Sequence, residues 1–172
     1  MTQRRPRQRT PKASRPDFAP GYGVPKTAQG LKPWSWVTER FTTSRNYWIG
    51  STRPDGAPHV APVWGLWLDG AFYFSTDRKS RKGMNLAQNP RVVVHLESGD
   101  EVCILEGTVE EVRGKAALKK VVEAYAKKYD MNVQDFSKLS ESSVMYVVRP
   151  LVAFAWLESD YVGSATRWTF GK

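Results

Sequence analysis

The sequence predicts a mainly β protein, an antiparallel β-barrel with peripheral helices. Three observations carry that expectation. Short apolar or alternating runs recur along residues 46–112 and again along 144–157. Tight-turn signals separate them, at Pro54-Asp55-Gly56, Asp69-Gly70 and Gly99-Asp100. Helical periodicity is confined to three places, near 33–42, 80–88 and 114–129. At 172 residues the chain suits one domain with a core of its own.

Taken in order, residues 1–30 read as a disordered basic arm rich in proline, and 31–172 as the folded domain. The arm holds Pro6, Pro11, Pro16, Pro20 and Pro25, and its first 15 residues hold Arg4, Arg5, Arg7, Arg9, Lys12 and Arg15 without an acid. Such composition cannot bury a core. These six cations account for most of the net charge of +9. The tail is a solvated arm that aids solubility, or else a contact for nucleic acid or another polyanion. Nothing else in the chain resembles a nucleic-acid module.

Pro33 fits a first helical turn, and Trp34, Val37 and Phe41 fall on one face of a helix over 33–42. Strands are expected at 46–52, 58–68 and 71–76, forming a meander. Ser80 is a candidate N-cap for a short helix over 80–88, and Asn89-Pro90 stops it. Strands at 92–96 and 102–112 follow, the second with a bulge expected at Gly107. Leu118, Val122, Tyr125 and Tyr129 set the inner face of a helix over 114–129, with Lys119, Lys120, Lys127 and Lys128 facing water. A polar loop over 130–142 leads to two closing strands at 144–148 and 152–157.

Composition excludes several chemistries. With one cysteine and two histidines, no Cys/His metal cluster and no internal disulfide can form. Cys103 sits in the run Val102-Cys103-Ile104-Leu105 and reads as a buried thiol. No nucleophile–base set can be drawn, so no catalytic side chain is expected. No apolar run is long enough for a membrane helix, and no secretory signal is visible; the expected location is the cytoplasm.

The segment 75–89 concentrates candidate anion ligands: Ser75, Thr76, Arg78, Lys79, Ser80, Arg81, Lys82 and Asn85 lie between a strand end and a helix start. Helix N-terminal N–H groups, hydroxyls and cations are what phosphate binding requires. A solvated basic loop is the competing reading. Neither a Walker loop nor a Gly-x-Gly-x-x-Gly fingerprint is present, so a phosphate held here belongs to another cofactor class.

Three stretches resemble the pyridoxamine 5′-phosphate oxidase-like superfamily. They are Asp55-Gly56-Ala57-Pro58-His59-Val60-Ala61-Pro62-Val63-Trp64, then Phe72-Tyr73-Phe74-Ser75-Thr76 with Ser80-Arg81-Lys82 and Asn89-Pro90, and finally Thr166-Arg167-Trp168-Thr169-Phe170. The resemblance implies a split β-barrel of the FMN-binding type. It also implies a homodimer with cofactor at the interface, and hydride transfer between FMN or the deazaflavin F-420 and a small organic acceptor. On that resemblance, Ser75, Thr76, Arg81 and Lys82 hold the phosphate, with Ser80 and Asn85 supporting the loop. Val60, Ala61, Pro62 and Val63 lie along the ring, and Trp168 reaches across the dimer. His59 either tunes the ring or packs as a strand residue, and Trp64 is a further candidate contact. The Pro-His-x-x-Pro-Val-Trp strand and the Arg-Trp tail look closest to the deazaflavin-using branch. An FMN-dependent oxidase, or a flavin- or haem-binding protein without turnover, is the alternative.

Overall fold

A computed structural model describes residues 11–134 and 142–171. Its strands are β1 (Lys12–Ser14), β2 (Asn46–Thr52), β3 (Pro58–Trp64), β4 (Leu66–Leu68), β5 (Ala71–Asp77), β6 (Arg91–His95), β7 (Glu101–Glu111), β8 (Ser143–Leu157) and β9 (Thr166–Thr169). Its helices are α1 (Trp34–Thr43), α2 (Arg81–Gln88), α3 (Lys115–Tyr129) and the single turn α4 (Tyr161–Ser164). All strand pairs are antiparallel, in the order β1-β9-β8-β7-β6-β2-β3, with β5 joining β8 and β4 joining β5. The sheet curls around its core without closing: β3 is an end strand, and among the described residues no ladder joins it to β5. This opening is the split of the barrel.

The turns form for the reasons the sequence gives. Asp69 and Gly70 both adopt positive φ, 49° and 74°, as a two-residue hairpin with right-handed strand twist requires. The bulge falls between Glu106 and Gly107. A Cβ on Gly107 would lie 2.3 Å from the Arg149 carbonyl, so only glycine fits.

Alternation fills the interior. Tyr47, Ile49, Phe72, Phe74, Val94, Leu105 and Val148 are fully buried, with Val37 and Phe41 of α1 against them. A second cluster joins α3 to the sheet through Val121, Tyr125, Tyr129, Leu66 and Met145.

Four expectations change. The 58–68 strand breaks at Gly65, where a Cβ would collide with Phe72 at 2.1 Å. The two closing strands are one, β8, running through Arg149-Pro150. Ladder partners there skip Leu151, so Pro150 sits at an irregularity where its missing N–H costs little. On α3, Leu118 is exposed while Val121 and Ala126 are buried, and Lys128 is half-buried rather than solvated. Lastly, part of the basic arm is ordered. Lys12–Ser14 pairs with β9, and the Arg15 guanidinium donates to the carbonyls of Gly163 (2.7 Å), Ala165 (3.1 Å) and Gln29 (2.5 Å). A strand edge recruits a partner through its backbone, whatever the partner's hydrophobicity. Residues 1–10 lie outside the described residues.

Candidate functional site

The split between β3 and β5 is bridged at one end by α2, which packs on both β2 and β5. The turn into α2 is tightly built. Ser80 Oγ donates to the Asp77 carbonyl (2.7 Å) and accepts from the Gly83 N–H (3.0 Å), the expected N-cap. Thr76 Oγ1 lies 3.1 Å from Ser80 Oγ. A Cβ on Gly83 would fall 2.3 Å from the Asp77 carbonyl, so glycine lets the helix start directly on the turn. The Asp77 carboxylate is engaged by the Lys79 N–H (2.7 Å) and by the Ser142 hydroxyl.

The cations of this segment differ in circumstance. Arg78 is exposed and pairs with Glu111 at 2.8 Å, a surface contact. Arg81, the first residue of α2, is exposed. Lys82 is 8% exposed, and its ammonium stands 5.9 Å from the centre of the Phe74 ring. No carboxylate or other acceptor pairs with it among the described residues. Burial pulls its pKa down to about 8, since nothing nearby offsets the loss of water. An uncompensated buried cation beside a capped helix N-terminus is an arrangement that an anion would stabilise.

Asn85, one turn further on, shares the inner face of α2 with Lys82 and is fully buried. Its Nδ2 donates to Ser51 Oγ at 3.1 Å, and its Oδ1 has no partner. Ser51 is buried on β2 and stands opposite His59 of β3. Sequence reasoning missed Ser51, because a serine in a strand carries no signal of which helix will pack on it. Phe74, the aromatic face beneath the Lys82 ammonium, was also missed.

The β3 residues divide by pleat. Ala61 and Val63 are on the less exposed face, whereas Val60 (53% exposed) and Pro62 point outward. They do not share one side-chain surface. What β3 offers as a unit is its unpaired backbone edge, facing the split. Ser75 and Thr76 end β5, across from it, both half-buried.

Trp168 is a correction. It is 1% exposed and packs against Trp34, with ring centres 5.5 Å apart, inside the main core. Its strand β9 lies between β8 and β1, and alternation sends the indole inward, into the core of its own chain. Trp64, in contrast, is 41% exposed and stacks on Tyr129 at 4.7 Å. Cys103 is buried as expected, with its thiol pKa pushed up to about 12.

An open-edged antiparallel sheet curled around one core, with a short helix packed at its split, defines the split-barrel class of folds. The pyridoxamine 5′-phosphate oxidase family model matches residues 37–157, and the chain belongs to that family. No curated protein matches the sequence. Among solved structures, the conserved hypothetical protein Rv2991 from Mycobacterium tuberculosis is 24% identical; the match covers 76% of this chain and 88% of that one, with a TM-score of 0.66. An F420 reductase is 26% identical over 67% of this chain and 94% of its own, with a TM-score of 0.50. HutZ, a haem storage protein from Vibrio cholerae, shares the fold at 14% identity, over 68% of this chain and 86% of its own, with a TM-score of 0.56. The family fold thus serves both redox and haem-binding proteins.

Proposed function

We propose that this protein is an oxidoreductase that transfers a hydride between a phosphate-anchored deazaflavin (F-420) or FMN and a small organic acceptor. The observation that carries the reading is Lys82: a buried cation with no counter-ion, at the start of a capped helix, on the split of the barrel. Lys82, the Ser80 turn and Thr76 would hold the phosphate, with Ser75 beside them and exposed Arg81 at the mouth. The free edge of β3, residues 60–63, would lie along the ring. The bound cofactor supplies the hydride chemistry, and the chain supplies an anchor, orientation and a dry wall. The likeness to an F420 reductase supports the deazaflavin form.

A second copy of the chain is the proposed cover for the outer sheet face. There a groove of about 690 Å³ is lined by Gly50, Val60, Val93 and Leu151, and Val60 and Leu151 are half exposed. Arg91 and Glu106, also lining it, have no ion-pair partner among the described residues. One cation and one anion flanking an apolar strip are self-complementary across a two-fold axis. Sedimentation at micromolar concentration should give a dimer; a monomer would remove this part of the proposal. The cytoplasm is the proposed location, consistent with a single buried thiol.

Haem binding without turnover is the second reading. His95 Nδ1 lies 2.8 Å from the Leu96 carbonyl, an arrangement that leaves Nε2 free as a ligating atom beside the same groove. Parallel titrations with F-420, FMN and haem separate the readings. The primary one expects saturable flavin or deazaflavin binding, then oxidation of the reduced cofactor by quinone-like acceptors. Haem binding alone, with neither flavin bound, would replace it.

A further inference from the structure

At the end of β3 the chain builds a stack of two aromatic rings. Trp64 lies 4.7 Å from Tyr129, centre to centre, with the ring planes 8° apart. The two rings are unequal, since Tyr129 is 6% exposed and Trp64 is 41% exposed. The Tyr129 hydroxyl is held at its tip by the Gly65 N–H (2.7 Å) and by the carbonyls of Arg45 (2.6 Å) and Gly65 (2.8 Å). The indole therefore rests on a fixed support with one face covered, and its exposure falls on the opposite face and edge.

Arg45 stands beside this stack. Its guanidinium carbon is 5.2 Å from the Trp64 ring centre and 5.7 Å from that of Tyr129. The side chain is exposed, and no acceptor engages its N–H groups among the described residues. The molecule holds a completed version of the same arrangement at its other exposed indole–guanidinium pair. There Arg40 lies 3.6 Å over the Trp36 ring and donates to both carboxylate oxygens of Glu101, at 3.1 and 2.6 Å. Trp36 and Arg40 are closed by a carboxylate of the chain; Trp64 and Arg45 are not.

A guanidinium receives a carboxylate edge-on through parallel N–H groups, and an indole face receives a flat ring. We propose that Trp64 and Arg45 form a binding site for a small planar aromatic anion, its ring on the indole and its carboxylate on Arg45. The site uses no residue of the α2 turn or of Lys82, so it stands apart from the cofactor reading.

Calorimetric titration of the full chain tests it with three probes. They are 2-naphthoate, flat and anionic; 2-naphthalenemethanol, flat and neutral; and cyclohexanecarboxylate, anionic but not flat. The unaltered chain should bind 2-naphthoate about tenfold tighter than either of the others. Arg45→Gln should abolish the preference over the neutral probe, and Trp64→Leu the preference over the non-planar one. Equal binding of all three, no binding of 2-naphthoate, or preferences unchanged in Arg45→Gln overturn the site. So does a change of sedimentation in Trp64→Leu, which would make the indole a subunit contact. FMN and F-420 titrations keep the two readings distinct, because both variants should bind them as the unaltered chain does. Weaker FMN or F-420 in Trp64→Leu would place the indole on the cofactor and remove the anion site alone. Melting temperature checks each variant. Arg45 is exposed, so Arg45→Gln decides the matter even where Trp64→Leu unfolds.

Discussion

Among the described residues two lysines, Lys82 and Lys128, have their pKa lowered by desolvation, and they differ in what surrounds them. Lys128 of α3 donates to the Tyr47 hydroxyl (2.5 Å) and the Gly65 carbonyl (2.9 Å), and its ammonium lies 4.7 Å from the Tyr47 ring centre. Tyr129 completes the set, with its hydroxyl 2.7 Å from the Gly65 N–H and 2.6 Å from the Arg45 carbonyl. Lys82 has only an aromatic face. Desolvation lowers both to about 8, so the pKa does not separate them. Hydrogen-bond satisfaction does. A half-buried cation whose donors are engaged braces the break between β3 and β4 at Gly65; a buried one whose donors are idle is, on the proposed reading, left for an anion to satisfy.

Breaking the two sites should therefore give opposite results. Lys82→Met carries the largest expected effect, a loss of about 2–4 kcal/mol in cofactor affinity by titration. The cofactor-free protein should become no less stable, and by about 1 kcal/mol more so after allowance for solvent screening, because an uncompensated charge is gone. Lys128→Met should cost about 1–3 kcal/mol of stability in denaturant unfolding and leave affinity alone, since the Tyr47 hydroxyl loses its lysine donor and the Gly65 carbonyl keeps only Tyr129. A stability loss at Lys82, or an affinity loss at Lys128, would reverse the assignment.

pH sharpens the contrast. The folded pKa of each lysine lies below its unfolded value, so the folded state binds fewer protons between about pH 8 and 10, and stability rises with pH there. The gain should end near pH 10, where the raised pKa values of the buried tyrosines Tyr47 and Tyr125 begin to favour the unfolded chain. Bound anion restores the Lys82 proton, so affinity should fall as pH rises above about 8. That fall should disappear in Lys82→Met. Arg81→Ala gives the smallest effect, about 0.5–1 kcal/mol of affinity, since an exposed cation is screened.

Much of the site was legible because its parts are adjacent in sequence. Ser80 as cap, Asn89-Pro90 as stop and the basic run between them form one short helix, and local rules govern one turn at a time. Lys128 was misread for the same reason. Periodicity placed it on the wet side of α3, and only the kink at Gly65, packed against Phe72, brings acceptors within its reach. Trp168 was misplaced because an aromatic residue near a chain end reads equally as arm or core. The ordered part of the N-terminal arm was illegible because its partners are backbone groups of β9 and α4, which have no side-chain signature.

The sequence by itself determined the central antiparallel strands at 46–52, 71–76, 92–96 and 102–112, the turns at 54–56 and 69–70, the Gly107 bulge and the capped cationic helix. Each follows from steric or hydrogen-bonding preferences of a few neighbouring residues. Only the tertiary structure decided which of the basic residues is buried without a partner, and that Asn85, Ser51 and His59 meet. Burial and polar satisfaction depend on elements distant in sequence, and no local pattern encodes the distance between them.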